Sequence, residues 1–287
     1  MAWCPRRTFG TSAMKTTALA DDTIVPVLGQ GTWKMGEGER ALGQEVAALR
    51  LGIDLGMTLI DTAEMYGEGA AEEVVAEAIA GQRERVFVVT KVYPHNATRR
   101  GLPQACTRSL QRLRTDVIDL YLLHWRGSTP LEETVEAFEK LRAEGKIRRW
   151  GVSNFDVADL EELDQPACAT DQVLYNLEAR GVEFDLLPWC RARGLPVMAY
   201  SPVGQGGKLL RNQILVEIAR RHDATPGQIA LAWVLRQPQV IAIPKAGDPA
   251  HVRANFEAVS LQLSKQDLSD LGSAFAPPAE KEPLAIL

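Results

Sequence analysis

Short apolar runs alternate with amphipathic stretches along most of the chain. The runs are Val27 to Trp33, Thr58 to Ile60, Val86 to Lys91, Val117 to His124, Ile147 to Val152, Gln172 to Tyr175, Val197 to Tyr200 and Val240 to Pro244. Most are rich in Val, Ile and Leu, as strands buried on both faces are. Between them apolar residues recur at helical spacing, as in Leu42, Val46, Leu49 and Ile53, or Leu102, Cys106, Leu110 and Leu113. Val74, Val75, Ala78 and Ile79 mark another helix, and Val135, Phe138 and Leu141 a further one; Gly56, Gly81 and Gly145 suit helix stops. More helices are expected near 156–164, 185–193, 212–222, 226–236, 249–257 and 265–275, with Thr225-Pro226 opening the one at 226–236. Eight strands alternating with helices predict an α/β fold, a parallel sheet closed as a (β/α)8 TIM barrel. A small hairpin around Asp21-Asp22 precedes it, and an extra C-terminal helix ends it.

Length agrees with this reading. The chain has 287 residues, and an eight-stranded α/β barrel takes about 250. No linker of low complexity divides it, so residues 16–287 are expected to form one barrel domain. The first residues, MAWCPRRTFGTSAM, hold two Arg and no acid but lack the apolar core of a secretory signal. Residues 1–15 are expected to be a disordered leader, or to lie upstream of a true start at Met14.

Composition excludes several roles. A net charge of −5 speaks against nucleic acid as a partner. No apolar stretch approaches the ~20 residues of a membrane span. Cys4, Cys106, Cys168 and Cys190 make no C-x-x-C pair, so a zinc knuckle or dithiol motif is not expected, and no metal is called for. Free thiols suit a reducing cytoplasm.

Candidate chemistry gathers at strand ends. Asp61 follows Thr58-Leu59-Ile60, Lys91 closes Val86 to Lys91, and His124 closes Val117 to His124; Tyr66 stands shortly after Asp61. In a parallel barrel the C-terminal strand ends share one face, where active sites lie. An acid, a phenol, an amine and an imidazole would thus meet, a set suited to protonating a carbonyl oxygen. A free Tyr is a weak acid at neutral pH, and a neighbouring ammonium lowers its pKa; reaching ~7 takes about 4 kcal/mol of differential interaction. Asp61 would keep Lys91 charged. Taken singly, each residue also fits an ordinary ion pair, core histidine or loop aromatic.

Asp61-Thr62-Ala63-Glu64-Met65-Tyr66-Gly67, Lys91 and Leu120-Tyr121-Leu122-Leu123-His124-Trp125 together resemble the catalytic tetrad of the aldo-keto reductases in its usual setting. The resemblance runs from about residue 16 to 275 and is nearest to bacterial members that reduce methylglyoxal and other dicarbonyls. It implies Asp61, Tyr66, Lys91 and His124 as catalytic residues and NADPH as cofactor. Gly31, Thr32, Trp33 and Asp61 would border the cofactor. Gly151-Val152-Ser153-Asn154-Phe155 resembles the segment whose Ser153 and Asn154, with Gln172, hold the nicotinamide carboxamide. Tyr200 would stack on the ring, and Ser201, Pro202 and Gly204 would run along the pyrophosphate.

Ile243-Pro244-Lys245 resembles the segment whose Lys meets the ribose 2′-phosphate. Here the chain departs from the family pattern, with Ala246 where Ser or Thr is frequent and His251 where an Arg is frequent; Asn255, near the adenine, is retained. NADPH is therefore expected, with NADH use not excluded. Gly29-Gln30-Gly31 is no Rossmann fingerprint, since Lys34 stands where the third glycine belongs. Trp33, Tyr66, His124 and Trp125 are expected to contact substrate, with Met65 nearby. Nine residues after Pro278 and a short segment after Trp125 suggest an open pocket, and His95 and His222 receive no role.

The reading is a monomeric, cytoplasmic, NADPH-dependent reductase of small aldehydes, α-dicarbonyls or ketones. Two alternatives are a barrel aldolase with Lys91 as Schiff-base nucleophile, and a non-catalytic NADP-binding regulatory barrel.

Overall fold

The computed structural model describes residues 14–38 and 40–287. The anticipated leader lies outside them for all but its last positions.

A hairpin comes first, β1 (Thr16–Ala18) against β2 (Ile24–Pro26), antiparallel, with Asp22 at positive φ in the turn. Eight parallel strands follow: β3 (Gln30–Gly31), β4 (Leu59–Asp61), β5 (Phe87–Val92), β6 (Leu120–Leu123), β7 (Trp150–Ser153), β8 (Cys168–Leu174), β9 (Val197–Tyr200) and β11 (Val240–Ala242). They pair in chain order, and parallel bridges Leu28–Ala242 and Gly31–Lys245 join the first strand to the last. The Gly31 N–H donates to the Pro244 carbonyl at 3.1 Å across that seam. Glycine is required here, because a Cβ on Gly31 would lie 2.7 Å from the Ile243 carbonyl oxygen. The sheet is thus a closed barrel, as the sequence pattern predicts.

The ring of helices comprises α1 (Leu42–Asp54), α2 (Ala70–Ile79), α3 (Gly101–Leu113), α4 (Leu131–Ala143), α5 (Val157–Leu163), α6 (Leu186–Ala192), α7 (Gln213–Arg221), α8 (Pro226–Leu235), α9 (Pro249–Glu257) and α10 (Lys265–Ala274). Capping boxes open α5 at Asp156, α8 at Thr225 and α10 at Ser264. One short strand, β10 (Pro202–Gln205), was not expected; it continues the chain out of β9. Several expected strands are shorter than their apolar runs. The run from Val117 yields only Leu120–Leu123, since Ile118 makes an isolated bridge to Ile147 instead.

Two apolar layers result. Inside the barrel Leu59, Val89, Leu120, Leu122, Met198 and Ile241 pack together, with Leu19 and Val25 of the hairpin joining the same cluster. Outside, Ile60, Val88, Val92 and Leu123 pack against the helices. Alternation along each strand explains the division: Leu59 points inward, Ile60 outward, and Asp61 inward again at the strand end.

Candidate active site

The inward alternation delivers Asp61 from β4 and Lys91 from β5 to the same end of the barrel. Lys91 is fully buried and Asp61 nearly so. Lys91 Nζ lies 2.7 Å from Asp61 Oδ2 and donates to the Thr62 carbonyl at 2.9 Å and to Tyr66 Oη at 3.2 Å. All three ammonium hydrogens are thereby used, which is what keeps a charge tolerable in so dry a place. Tyr66 stands on a turn from Tyr66 to Gly69 that leads into α2, its ring centroid 4.9 Å from the same Nζ. His124, just past β6, meets the Tyr66 ring edge-on at 5.8 Å between centroids. The structure therefore brings the four expected residues together.

Their proton affinities follow from burial and charge. Burial works to lower the Lys91 pKa, but Asp61 and Tyr66 more than offset it, so the amine sits above its ordinary range as an ammonium. Burial raises the Asp61 carboxyl in spite of that ammonium. The Tyr66 phenol is raised above its usual value by burial, assisted by the Asp61 charge, against the opposing pull of Lys91. This differs from the expectation of a phenol brought toward neutrality: burial outweighs the field that Lys91 supplies, and Asp61 offsets part of that field. Burial, with Lys91 beside it, brings His124 down to about 2, so the imidazole is neutral. Its Nδ1 is buried with no hydrogen-bond partner. A single ring proton is therefore best placed on Nε2, because an orphaned N–H is costlier than an orphaned lone pair.

Polar groups from the next strands complete one side. Gln172 of β8 donates from Nε2 to Asp61 Oδ1 at 2.8 Å. Ser153 Oγ donates to the Gln172 carbonyl at 2.8 Å, and Asn154 Nδ2 to the His124 carbonyl at 3.1 Å. Asn154 adopts positive φ, and its Oδ1 accepts from Tyr200 Oη at 2.9 Å. Ser153, Asn154, Gln172 and Tyr200 thus form one connected amide-and-hydroxyl patch beside the tetrad, a donor and acceptor set that fits a carboxamide. Thr32 is buried and spends its hydroxyl on the Asp61 carbonyl at 3.0 Å. Ser201, at positive φ, and Gly204 carry the chain away from Tyr200. Lys245 follows β11 at the closing seam, with Ala246 buried beside it; His251 and Asn255 lie on α9, His251 exposed.

An aromatic wall faces the tetrad. Trp125 packs on His124 at 4.9 Å, and Tyr93 meets Trp125 edge-on at 6.0 Å. His95, given no role from sequence, stacks on Tyr93 at 4.8 Å. Tyr93 and His95 were missed although they stand just past the end of β5, where residues at a strand's C-terminal end enter the site. Glu64 fixes their loop by accepting from the Tyr93 N–H at 2.8 Å and Asn96 Nδ2 at 3.0 Å. Trp33 and Met65 are partly exposed at 38% and 39%, consistent with a rim. The C-terminal tail does not stay clear of the site as the open-pocket expectation supposed, for the Leu287 backbone sits against the Tyr200 hydroxyl. Lys281 pairs with Asp185 at 3.2 Å and anchors the tail on its way.

Among the described residues no helix is long and apolar enough to cross a membrane. Cys106, Cys168 and Cys190 are free and buried.

Comparison with known proteins agrees with this geometry. Residues 27–275 match the model of the aldo/keto reductase family. The chain is 53% identical over 278 residues to methylglyoxal reductase YeaE of Escherichia coli, covering 94% of this chain and 98% of that one. It is 34% identical to the glyoxal reductase of Bacillus subtilis, covering 91% and 93%. An aldo/keto reductase from Klebsiella pneumoniae solved with NADP and acetate superposes with a TM-score of 0.92 at 51% identity, covering 96% of this chain and all of that one. A structure of an aldo-keto reductase from the same organism with NADPH gives 0.93 at 50% identity, with the same coverage.

Proposed function

The chain belongs to the aldo/keto reductase family, and from that membership and the site geometry we propose how it works as an NADPH-dependent carbonyl reductase. The observation that carries the reading is Lys91 Nζ bonded at once to Asp61 and Tyr66. A bound reduced nicotinamide supplies hydride to the carbonyl carbon. Tyr66 Oη gives its proton to the carbonyl oxygen, and Lys91 stabilises the phenolate left behind. Asp61 keeps Lys91 charged and in place. His124, neutral, donates from Nε2 to the carbonyl oxygen and orients it. It is too weak a base at about 2 to act as an imidazolium acid.

Ser153, Asn154 and Gln172 hold the carboxamide, while Tyr200 lies against the ring. Gly31, Thr32 and Trp33 border the cofactor on the β3 side. Ser201, Pro202 and Gly204 follow its pyrophosphate, and Ile243, Lys245, His251 and Asn255 attend the adenosine end. Trp33 and Trp125, with Tyr66 and His124, enclose the substrate and keep water from the developing alkoxide. The substrates are small aldehydes and α-dicarbonyls of the methylglyoxal type, in keeping with the names of the relatives. Residues 16–287 act as one barrel domain, as a monomer in the cytoplasm.

NADPH oxidation should be followed by absorbance with methylglyoxal, diacetyl, a keto sugar and an aromatic aldehyde. Turnover with at least the dicarbonyls is expected. Tyr66→Phe should lose turnover by about 10²- to 10⁴-fold while NADPH still binds. Full activity in that variant removes Tyr66 from its role. A substrate adduct trapped on Lys91 by borohydride would instead favour the aldolase alternative.

A further inference from the structure

At the seam that closes the barrel Lys245 is followed by the apolar, buried Ala246, and His251 on α9 is exposed. A second cation nevertheless reaches this place from another part of the chain. Arg40, in the segment between β3 and α1, lays its side chain over Gly247. A Cβ on Gly247 would lie 3.0 Å from both Cδ and Nε of Arg40, and 3.7 Å from Lys245 Nζ. The guanidinium and the ammonium therefore converge on one point, from opposite sides of the seam that closes the barrel. Gly247 leaves the space in which they meet. Among the described residues no ion pair within 4.0 Å takes up either cation. Two like charges held this close repel, and an anion shared between them relieves that repulsion.

We propose that Arg40 is a cofactor-specificity residue which, with Lys245, clasps the ribose 2′-phosphate of NADPH. This rests on the reductase reading and deepens it. A lone ammonium offers a phosphate only a point charge, whereas a guanidinium adds a planar fork of donors. Arg40 supplies that fork from the loop before α1, while His251 lies exposed on α9. It also makes the loop before α1 the element that tells NADPH from NADH.

The test is equilibrium binding, read by quenching of intrinsic tryptophan fluorescence, for NADPH, NADH, 2′,5′-ADP and 5′-AMP. Arg40→Gln should weaken NADPH and 2′,5′-ADP about tenfold and leave NADH and 5′-AMP unchanged. Arg40→Lys, which keeps the charge and loses the fork, should fall between. The wild-type preference for NADPH should shrink with added salt, and shrink less steeply in Arg40→Gln. Equal losses for both dinucleotides, or no loss for NADPH, overturn the assignment of Arg40 while leaving the reductase reading intact. A wild-type protein that binds neither dinucleotide overturns both.

Discussion

Gln172 reaches across the barrel and donates its amide Nε2–H to Asp61 Oδ1, closing at 2.8 Å a link between residues 111 positions apart in the chain. The bond joins the carboxamide patch to the ion pair that holds Tyr66. A change at Gln172 should therefore alter both cofactor affinity and the chemical step. Gln172→Leu removes a hydrogen bond to a charged acceptor, worth about 1.5–3 kcal/mol, and leaves the carboxylate short of a partner. Steady-state kinetics should show KM for NADPH rising and kcat falling, each by about tenfold or more. A pure KM effect would mean that the bond to Asp61 is incidental.

The pH profile follows from the direction of the shifts. Tyr66 holds its proton above the ordinary phenol value, and His124 is already neutral, with a pKa of about 2. Neither group changes state between about pH 6 and about pH 9. The kcat/KM for carbonyl reduction should thus be flat across that window and decline only above about pH 10, as Tyr66 loses its proton. An alkaline limb near pH 7 to 8 would contradict the picture of a phenol raised by burial and Asp61.

Much of the fold and the tetrad is legible in the sequence, and the reason is local. Asp61, Lys91 and His124 each terminate an apolar run, and in a parallel barrel the run's direction alone decides which end they occupy. Gln172 is harder. Ala169 packs inside the barrel, yet Asp171 and Val173 face outward and Gln172 inward, so strict alternation fails along β8. A register irregularity opposite Trp150 and Val152 absorbs the odd residue and turns Gln172 into the site. Nothing in the local pattern signals it. Arg40 and Leu287 were equally illegible, since their contacts arise from the closing seam and the returning tail. The Tyr66 shift is the sum of opposing effects, and its sign depends on burial that no spacing reveals.

Asp171 offers a test on stability. Its carboxyl is buried on the outer face of β8, and neither oxygen has a hydrogen-bond partner meeting ordinary geometry. Burial holds its pKa well above the usual carboxylate value. The folded protein then keeps a proton that the unfolded chain releases above about pH 4. Stability is fully present below that value and declines as pH rises toward the folded pKa. Asp171→Asn keeps the shape and removes the titration. Denaturant melts at about pH 5 and about pH 8 should show the variant gaining on the wild type as pH rises; a constant difference would place an ionised carboxylate at this site.

Arg112 links the turn that carries Tyr66 to the buried face of α2. Its Nε donates to Glu72 Oε2 at 2.6 Å, while Glu72 Oε1 accepts from Thr90 Oγ1 at 2.6 Å beside Lys91. Glu72 is fully buried, and Arg112 also lies over Gly69, whose φ of 97° admits the start of α2. Arg112→Met would strand a buried carboxylate, and breaking a buried pair on one side costs about 3–5 kcal/mol. The exposed edge of Arg112 places the expected loss at the lower end, about 3 kcal/mol. Removing the charge as well, in Glu72→Gln with Arg112→Met, should recover much of that loss, because no unpaired charge remains inside. Urea unfolding of the two single variants and the double gives the cycle directly. Losses that simply add would show that Glu72 is neutralised some other way, and that the Tyr66 turn does not depend on this pair.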